Sequence, residues 1–142
     1  MITLKELAED NIEECLKLNA GGGKESFVAN SFAIAWLLRE TARPLLICAE
    51  NRVVGFILLV LNAKRRECYI SRMMTDVIHR RKGYAKAALR EVIGYACNAG
   101  CKSICLSFAA ENEAARRLYT SVGFLESGAA ENSEVVMEME LE

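Results

Sequence analysis

The stretch Arg80-Arg81-Lys82-Gly83-Tyr84-Ala85 decides the fold, because it joins an apolar segment to a strongly amphipathic one. A glycine at the start of a helix lets the backbone come close to a ligand. The first N–H groups of a helix have no intrahelical partner and carry the positive end of its dipole. With three cationic side chains at the same turn, the pattern favours a polyanion such as a pyrophosphate. Taken alone, such a turn is more often a solvated charged loop. The segments around it must therefore distinguish an anion-binding turn from such a loop.

An amphipathic helix is predicted to run from Tyr84 to just before Gly100, which stands where a C-terminal cap is expected. Its apolar residues recur at helical spacing and form one stripe: Ala85, Ala88, Leu89, Val92, Ile93 and Ala96. Strand-like runs precede and follow it, over Cys68–Thr75 and Ser103–Phe108. A strand, a helix and a strand at this spacing predict a parallel strand pair joined by a right-handed crossover.

The remaining segments predict further strands and helices around this unit. The expected strands are Ile2–Leu7, Leu45–Ala49, Val53–Leu61, Phe124–Ser127 and Glu134–Leu141, with a hairpin at Glu50-Asn51-Arg52. A first helix is expected to start at a capping box, Asp10-Asn11-Ile12-Glu13, and to be broken by Gly21-Gly22-Gly23. A second, largely buried helix is expected over Phe27–Leu38 and ends before Pro44. A third, short helix is expected from an N-cap at Asn112 through Ser121, closed by Gly123. The chain is therefore predicted to be an α/β (α+β) protein.

Length and composition limit the classes of function. The chain has 142 residues, of which 52% are hydrophobic and 26% charged, and its net charge is −1. These values predict a single globular domain over residues 1–142 with no general affinity for nucleic acid or an anionic membrane. No apolar run approaches the ~20 residues of a membrane span. The N-terminus lacks the features of a secretory signal, so we expect a cytoplasmic protein.

Cysteine is frequent, and we expect it to be structural. Six residues are spread along the chain, mostly in apolar surroundings: Cys15, Cys48, Cys68, Cys97, Cys101 and Cys105. In a reducing cytosol these are free, buried side chains rather than disulfides. A metal site is not predicted, because Gly100 interrupts the spacing of the last three and His79, the single histidine, has no evident zinc partner.

A second motif lies downstream of the basic turn: Asn112-x-x-Ala115-x-x-Leu118-Tyr119-x-x-x-Gly123-Phe124. Together with Arg80-x-x-Gly83-x-Ala85, it resembles the GNAT superfamily of acyl-CoA-dependent N-acyltransferases over the segment Ile70–Phe124. The resemblance implies a mixed, mostly antiparallel twisted sheet flanked by helices, with a central parallel strand–helix–strand unit that binds the coenzyme. It also implies acetyl-CoA as co-substrate and no metal.

The same resemblance implies roles for individual residues. The coenzyme would be held by Met73, Met74, Thr75, Arg80, Arg81, Lys82, Gly83, Tyr84, Ala85, Lys86, Asn112 and Tyr119. Tyr119 would also be the general acid, because a phenol with a pKa of ~10 stays protonated at neutral pH and can donate to a departing thiolate. Without the motif, Tyr119 would be interpreted as a helix residue that packs on the sheet. The general base stays unassigned among Glu67, Asp76, Glu111 and a water chain.

Within the superfamily, the chain is most similar to bacterial spermine/spermidine (diamine) N-acetyltransferases. The likeness runs through Phe27-Val28-Ala29-Asn30, Arg72-Met73-Met74-Thr75-Asp76, Gly83-Tyr84-Ala85-Lys86 and Glu111-Asn112-Glu113. It implies a primary amine as acceptor, with a polyamine as first candidate, and a homodimer by analogy. Three departures reduce negative charge on the acceptor side: Gly21-Gly22-Gly23-Lys24, Lys64-Arg65-Arg66, and Ser71 where an aspartate is usual.

These departures leave alternatives open. A less cationic amine or the N-terminus of a protein or peptide would also suit a less acidic acceptor site. A regulatory module that binds acetyl-CoA without turnover is a further alternative. RNA binding through the two basic clusters has weak support, since no aromatic-rich recognition strand accompanies them.

Overall fold

One seven-stranded sheet forms the centre of the protein. The computed structural model describes residues 1–21, 27–80, 82–129 and 133–141. The strands are β1 Ile2–Glu6, β2 Ala42–Ala49, β3 Arg52–Asn62, β4 Glu67–Thr75, β5 Ser103–Ala109, β6 Leu125–Ala129 and β7 Glu134–Glu140. Across the sheet they are ordered β1-β2-β3-β4-β5-β7-β6. Residues 22 and 23 of the predicted helix break, residue 24 beside them, and Arg81 lie outside the described residues.

Helices cover both faces of this sheet. In the described ranges they are α1 Ile12–Leu16, α2 Phe27–Leu37, α3 Tyr84–Asn98 and α4 Glu113–Val122. The larger core joins α3 and α4 to one face, and the smaller core joins α1 and α2 to β2 and β3 on the other. The predicted mixed, mostly antiparallel sheet flanked by helices is confirmed.

Helix α3 forms as its sequence pattern predicts. Ala88, Leu89, Val92 and Ala96 are buried against the sheet. Gly100 follows the helix with φ +83°, a value that favours glycine. Its N–H donates to the Cys97 carbonyl at 3.0 Å, and the next N–H donates to the Ala96 carbonyl at 2.9 Å. This pair of bonds is a Schellman cap, which satisfies two carbonyls of the last turn.

The parallel crossover joins β4 to β5 through α3, as predicted. The two strands are paired only over Glu67–Tyr69 and Ser103–Cys105. Toward their C-terminal ends the two strands no longer pair with each other. There β4 pairs only with β3, and β5 pairs only with β7. The sheet therefore opens between β4 and β5 at the end where the basic turn begins.

Two irregularities shape the open end of β4. Ser71 is an extra residue, because Leu58 pairs with Arg72 and Leu59 with Ile70. Such a bulge changes which side chains share a face, and beyond it Met73 packs with the α3-side core and Met74 with the α2-side core. On β3, Gly55 lies so close to β4 that a Cβ atom would be 2.5 Å from the Met74 carbonyl oxygen. Glycine at this position permits that approach.

The capping box predicted at Asp10–Glu13 is wrong. Helix α1 follows Asn11, but the Asn11 side chain caps none of its N–H groups. Its Oδ1 instead accepts from the Ala8 N–H at 2.8 Å, and its Nδ2 donates to the Glu6 carbonyl at 3.0 Å. The side chain closes the turn after β1, and that bond competes with helix capping.

The prediction of a largely buried α2 is wrong for its C-terminal half. Val28 and Ser31 are buried, whereas Trp36 and Leu37 are 67% and 76% exposed. The segment is apolar on every side, so its sequence does not select one face. Only the side toward β2 and β3 meets the sheet, and a groove of about 380 Å³ runs beside Trp36.

Strand β2 begins earlier than expected and contains Pro44. The Pro44 carbonyl accepts the Leu7 N–H at 3.4 Å, so the missing proline donor also points toward the β1 side. Strand β1 has ended there, at Glu6 rather than the predicted Leu7. No ladder hydrogen bond is lost, because the neighbouring strand has already ended, and sheets tolerate proline at such positions. Elsewhere the predicted strand ends shift by one or two residues.

The hairpin between β2 and β3 is confirmed, with Glu50 and Asn51 both at positive φ as a two-residue turn requires.

All six cysteines are free; Cys97 is exposed, Cys105 half-buried and the rest buried. In the described part of the chain, no helix combines the length and apolarity needed to cross a membrane.

Candidate active site

A cleft lies where β4 and β5 separate, with a cavity of about 510 Å³. This volume is in the usual range of small-molecule sites. Its walls come from the segment before residue 22, the end of β4, the turn after it, the start of α3, and α4. The lining residues are Ala20, Met73, Met74, Thr75, Arg80, Ala85, Asn112, Ala114, Ala115, Leu118 and Tyr119.

The end of β4 offers a strand edge to this cleft. Met73, Met74 and Thr75 are paired with β3 on one side, while the pairing with β5 has already stopped at Tyr69. A strand edge of this kind presents backbone N–H and C=O groups that an extended ligand can pair with. The cleft therefore has a ready hydrogen-bonding wall.

The turn after β4 is fixed by Asp76, which is buried. Its Oδ1 accepts the Ile78 N–H and its Oδ2 accepts the Asn19 N–H, both at 3.0 Å. Its own N–H donates to the Val54 carbonyl at 2.8 Å. Both carboxylate oxygens thus hold backbone groups, and they bring the segment after α1 to the cleft.

Arg80 forms part of the same wall. Its guanidinium donates to the Ala20 carbonyl, and its Nε donates to the Thr75 carbonyl at 3.3 Å. The side chain therefore links the end of β4 to the segment after α1. Its positive charge stays at the surface of the cleft, since the residue is exposed.

Helix α3 begins at the cleft after Gly83. The φ angle of Gly83 is +76°, and no heavy atom lies within 4 Å of the place that a Cβ would occupy. Glycine is favoured here by backbone conformation rather than by space. The first turn of this 15-residue helix contains Tyr84, Ala85 and Lys86, and its N–H groups and positive dipole end are directed to this region.

Helix α4 forms the opposite wall and carries the phenol. The predicted N-cap is confirmed: the Asn112 Oδ1 accepts the Ala115 N–H at 3.1 Å. The Tyr119 ring lies 5.7 Å from that of Phe108 and 5.9 Å from that of Phe124. Burial raises the pKa of the Tyr119 phenol above its ordinary value, because desolvation disfavours the phenolate.

Part of the predicted site set is brought together around the cavity: Met73, Met74, Thr75, Arg80, Ala85, Asn112 and Tyr119. Lys82, Gly83, Tyr84 and Lys86 stand beside it at the start of α3 and do not line it, and Arg81 lies outside the described residues. The predicted site set missed Ala20, Ala114, Ala115 and Leu118, of which the last two are positions of the second motif. Only a tertiary contact brings Ala20 here, whereas Ala114 follows the cap Asn112 and helical spacing would have found it.

His79 ends the short 3-10 helix Val77–His79, which follows β4. It is 8% exposed, and its ring lies 6.3 Å from that of Tyr84. Its Nδ1 is buried and, within the described residues, has no hydrogen-bond partner. In the same part of the chain no cluster of three or more His, Cys, Asp or Glu residues is suited to a metal.

The carboxylates considered as general base do not line the cavity. Asp76 is occupied by backbone donors, and Glu111 is exposed just before α4. Glu67 begins β4, roughly 25 Å of extended strand from Thr75. Among the described lining residues, the ionisable ones are Arg80 and Tyr119. A proton acceptor must therefore be sought outside this cavity.

The sequence also matches a known family. A family model described as Acetyltransferase (GNAT) family matches residues 6–124. The chain belongs to the GNAT acetyltransferase family. Among curated proteins, this GNAT chain is 36% identical over 83 residues to the N-acetylaspartate synthetase of Xenopus tropicalis, a match that covers 58% of this chain and 31% of that protein. The chain thus spans about a third of that relative's length.

Solved GNAT structures share the fold along nearly the whole chain. PaiA N-acetyltransferase from Thermoplasma acidophilum, in complex with coenzyme A, has a TM-score of 0.79 and 18% identity, with 99% of each chain covered. Spermidine N-acetyltransferase from Vibrio cholerae, in complex with CoA and spermine, has a TM-score of 0.75 and 19% identity, with 99% of this chain and 94% of that chain covered. At these identities the likeness concerns the fold.

Proposed function

We propose that this GNAT protein is an acetyl-CoA-dependent N-acetyltransferase that transfers the acetyl group to a primary amine. The observation that carries the proposal is the cleft itself. It combines an unpaired strand edge at Met73–Thr75, the start of α3, and the phenol of Tyr119 around one cavity. Acetyl-CoA supplies an acyl group activated as a thioester.

The described residues fit such a co-substrate. An extended amide-bearing chain would pair with the β4 edge at Met73–Thr75, and the pyrophosphate would meet the N–H groups from residue 81 to Ala85, with Lys82, Tyr84 and Lys86 beside it. His79 supports the fit, since it stands in the segment between β4 and α3, its buried Nδ1 has no partner among the described residues, and a buried polar atom calls for a partner. Asn112 would contact the coenzyme from α4. Relatives with this fold include one in complex with coenzyme A.

Tyr119 is proposed as the general acid. The neutral amine attacks the thioester carbonyl, and the phenol donates its proton to the thiolate as that group departs. The raised pKa of Tyr119 keeps the phenol protonated over the whole neutral range, which is the state that the role needs. Its ring is held between Phe108 and Phe124, so its position is fixed by packing.

A polyamine such as spermine or spermidine is the first candidate acceptor. The sequence likeness supports it, and a fold relative was solved with spermine. The curated relative bears the name of an enzyme that makes N-acetylaspartate, so a match within the family does not select a cationic acceptor. Another small amine, or the N-terminus of a protein or peptide, is the alternative.

The decisive experiment is a thiol-release assay with acetyl-CoA and a panel of acceptors. Polyamines, amino acids and peptides with free N-termini should be compared at equal concentration, with the N-acetylated form of each as control. We expect turnover with primary amines and none with the blocked forms. Tight binding of acetyl-CoA without turnover on any amine would contradict the proposal and favour a regulatory module.

Tyr119→Phe tests the general acid. We expect kcat to fall at least about 10²-fold with little change in acetyl-CoA affinity, because the ring packing remains. In the wild type, a raised pKa means that the phenol loses its proton only above about pH 10, so kcat should not decline below that pH. Tyr95→Phe is the matched control, since burial also raises the pKa of Tyr95 and it does not line the cleft. Unchanged kcat in Tyr119→Phe would remove the residue from this role.

Three expectations from the sequence remain predictions. They are the cytoplasmic location, the homodimer and the single acetyltransferase domain over residues 1–142. Size-exclusion chromatography with light scattering would measure the second directly.

A further inference from the structure

The sheet has a second face at the point where β4 and β5 separate. Along a strand, alternate side chains point to opposite faces. Cys68, Ile104 and Met137 point into the α3-side core, so their neighbours point the other way. On that other side, α1 and α2 pack against β2 and β3. The side chains there from β4, β5 and β7 include Tyr69, Ser107 and Glu134, none of them fully buried.

These three side chains form a hydrogen-bonded chain across three strands. The Ser107 Oγ donates to the Glu134 Oε1 at 3.0 Å, and the Tyr69 hydroxyl lies 3.4 Å from the Ser107 Oγ. The polarity follows from the groups themselves. A carboxylate only accepts, so Ser107 donates to Glu134, and Tyr69 must then donate to Ser107. The Tyr69 oxygen keeps its lone pairs and can accept a further hydrogen bond.

None of the three residues lines the donor cavity. They lie on the opposite face of the sheet from Tyr119, where the pairing of β4 with β5 ends. Tyr69 is the last residue of β4 that pairs with β5, so its hydroxyl marks the place where the strands part. Ser107 precedes Phe108, whose ring contacts Tyr119 from the other face. Ser107 and Phe108 are neighbours on β5, so the polar chain and the Tyr119 ring lie against opposite faces of the same strand. An amine that approaches from the Tyr69 side of the sheet would meet an exposed hydroxyl.

We propose that Tyr69, Ser107 and Glu134 form the acceptor-side proton relay, with Glu134 as the terminal proton acceptor for a protonated primary amine. This rests on the proposed acetyl transfer. One N–H bond of the ammonium breaks and an O–H bond forms at Tyr69, while the Tyr69 proton moves to Ser107 and the Ser107 proton to Glu134. The amine is left neutral with a free electron pair for attack, and the carboxylate becomes a carboxylic acid.

The remaining protons also balance. Tyr119 gives its proton to the thiolate, and the second proton that the nitrogen loses on forming the amide returns to Tyr119. The proton held at Glu134 then leaves to water. The sum is one ammonium and one thioester converted into one amide, one thiol and one released proton. The relay thereby supplies the base that the donor cavity lacks.

Other ionisable groups share this face. They come from β4, β5 and β7: Glu67, Arg72, Cys105, Glu138 and Glu140. On β6, Glu126 points the other way and pairs with Arg116. Burial and the neighbouring Glu67 carboxylate raise the pKa of Cys105 to about 12, so this thiol stays protonated and does not compete as a nucleophile. The π-face of Tyr69 favours a cationic acceptor.

The test compares Glu134→Gln with Glu138→Gln. Both glutamates lie on β7 and on the same face, about 13 Å apart along the strand, and only Glu134 is bonded to Ser107. With spermidine as acceptor, we expect kcat/KM of Glu134→Gln to fall about 10²-fold at neutral pH with the KM for acetyl-CoA unchanged. The loss should shrink toward about pH 10, where the amine is neutral without help. Glu138→Gln should behave as the wild type.

A second pair of variants distinguishes a broken relay from a misfolded Glu134→Gln protein. Ser107→Ala and Tyr69→Phe break the relay at its other links and should show the same loss, recovered at high pH. A loss that does not depend on pH, or an equal loss in Glu138→Gln, would overturn the relay. Wild-type turnover together with unchanged Glu134→Gln would overturn it while leaving the proposed function intact. Absence of turnover by the wild type with every amine would overturn both.

Discussion

The two ends of β4 differ in what lies beside them. At its start, Glu67–Tyr69 is held between β3 and β5, and the adjoining core positions are fully buried. At its end, Met73–Thr75 has β3 on one side and the cleft on the other. One strand thus serves as scaffold over its first third, and we propose its last third as the edge that binds the coenzyme. The difference predicts that substitutions of core-facing residues at the first end affect stability and that substitutions at the second end affect ligand binding as well.

The largest effect is expected at the paired end, from Ile104→Ala. Ile104 is fully buried and lies between Cys68 of β4 and Met139 of β7. Truncation should lower the free energy of unfolding by about 2–5 kcal/mol, measured by urea denaturation. Ile104→Val should cost only about 1 kcal/mol. If the folded fraction of Ile104→Ala lost acetyl-CoA affinity as well, the separation of roles along β4 would be wrong.

An intermediate effect is expected at the open end, from Gly55→Ala. The new methyl group would lie 2.5 Å from the Met74 carbonyl oxygen, and a backbone atom can yield only if the strand moves. We expect a loss of about 1–3 kcal/mol of stability, together with weaker acetyl-CoA binding by calorimetry. Gly94→Ala is the matched control, because a Cβ there contacts nothing and alanine should stabilise α3 by about 0.5–1 kcal/mol. Equal effects at both positions would contradict this account.

The smallest effect is expected on the far wall of the cleft, from Asn112→Ala. Loss of the cap should cost about 1 kcal/mol, since the Ala115 N–H loses its acceptor. Asn112→Ser keeps a capping oxygen and should restore stability. If Asn112 also contacts the coenzyme, as proposed, the serine variant will regain stability without regaining acetyl-CoA affinity. Recovery of both would restrict Asn112 to capping.

Regular elements with a repeating pattern were predictable from the sequence. The apolar stripe of α3 and the cap at Asn112 are local signals, and the structure has both. The crossover between β4 and β5 followed from their spacing. These features depend on residues a few positions apart, which is the range over which periodicity and capping act.

The features that the sequence did not predict depend on contacts between residues far apart in the chain. Asn11 has a capping residue type, but its bonds run back toward β1. The apolar pattern of α2 cannot say which side meets the sheet. In the candidate site, Ala20 is brought to the cleft by Arg80, sixty positions away in the chain. The relay residues come from three strands, and only their register brings them together.

The exposed end of α2 determines what an optical probe of this protein reports. Trp36 is the only tryptophan in the chain, it is 67% exposed, and the Arg39 guanidinium lies 4.6 Å from its ring centre. It lines the groove beside Leu7 and Pro44 rather than the cleft. Intrinsic fluorescence is therefore a reporter of the α2 surface. We expect it to change little when a ligand binds between β4 and β5. A tryptophan introduced in that cleft would therefore report on binding with little background from Trp36.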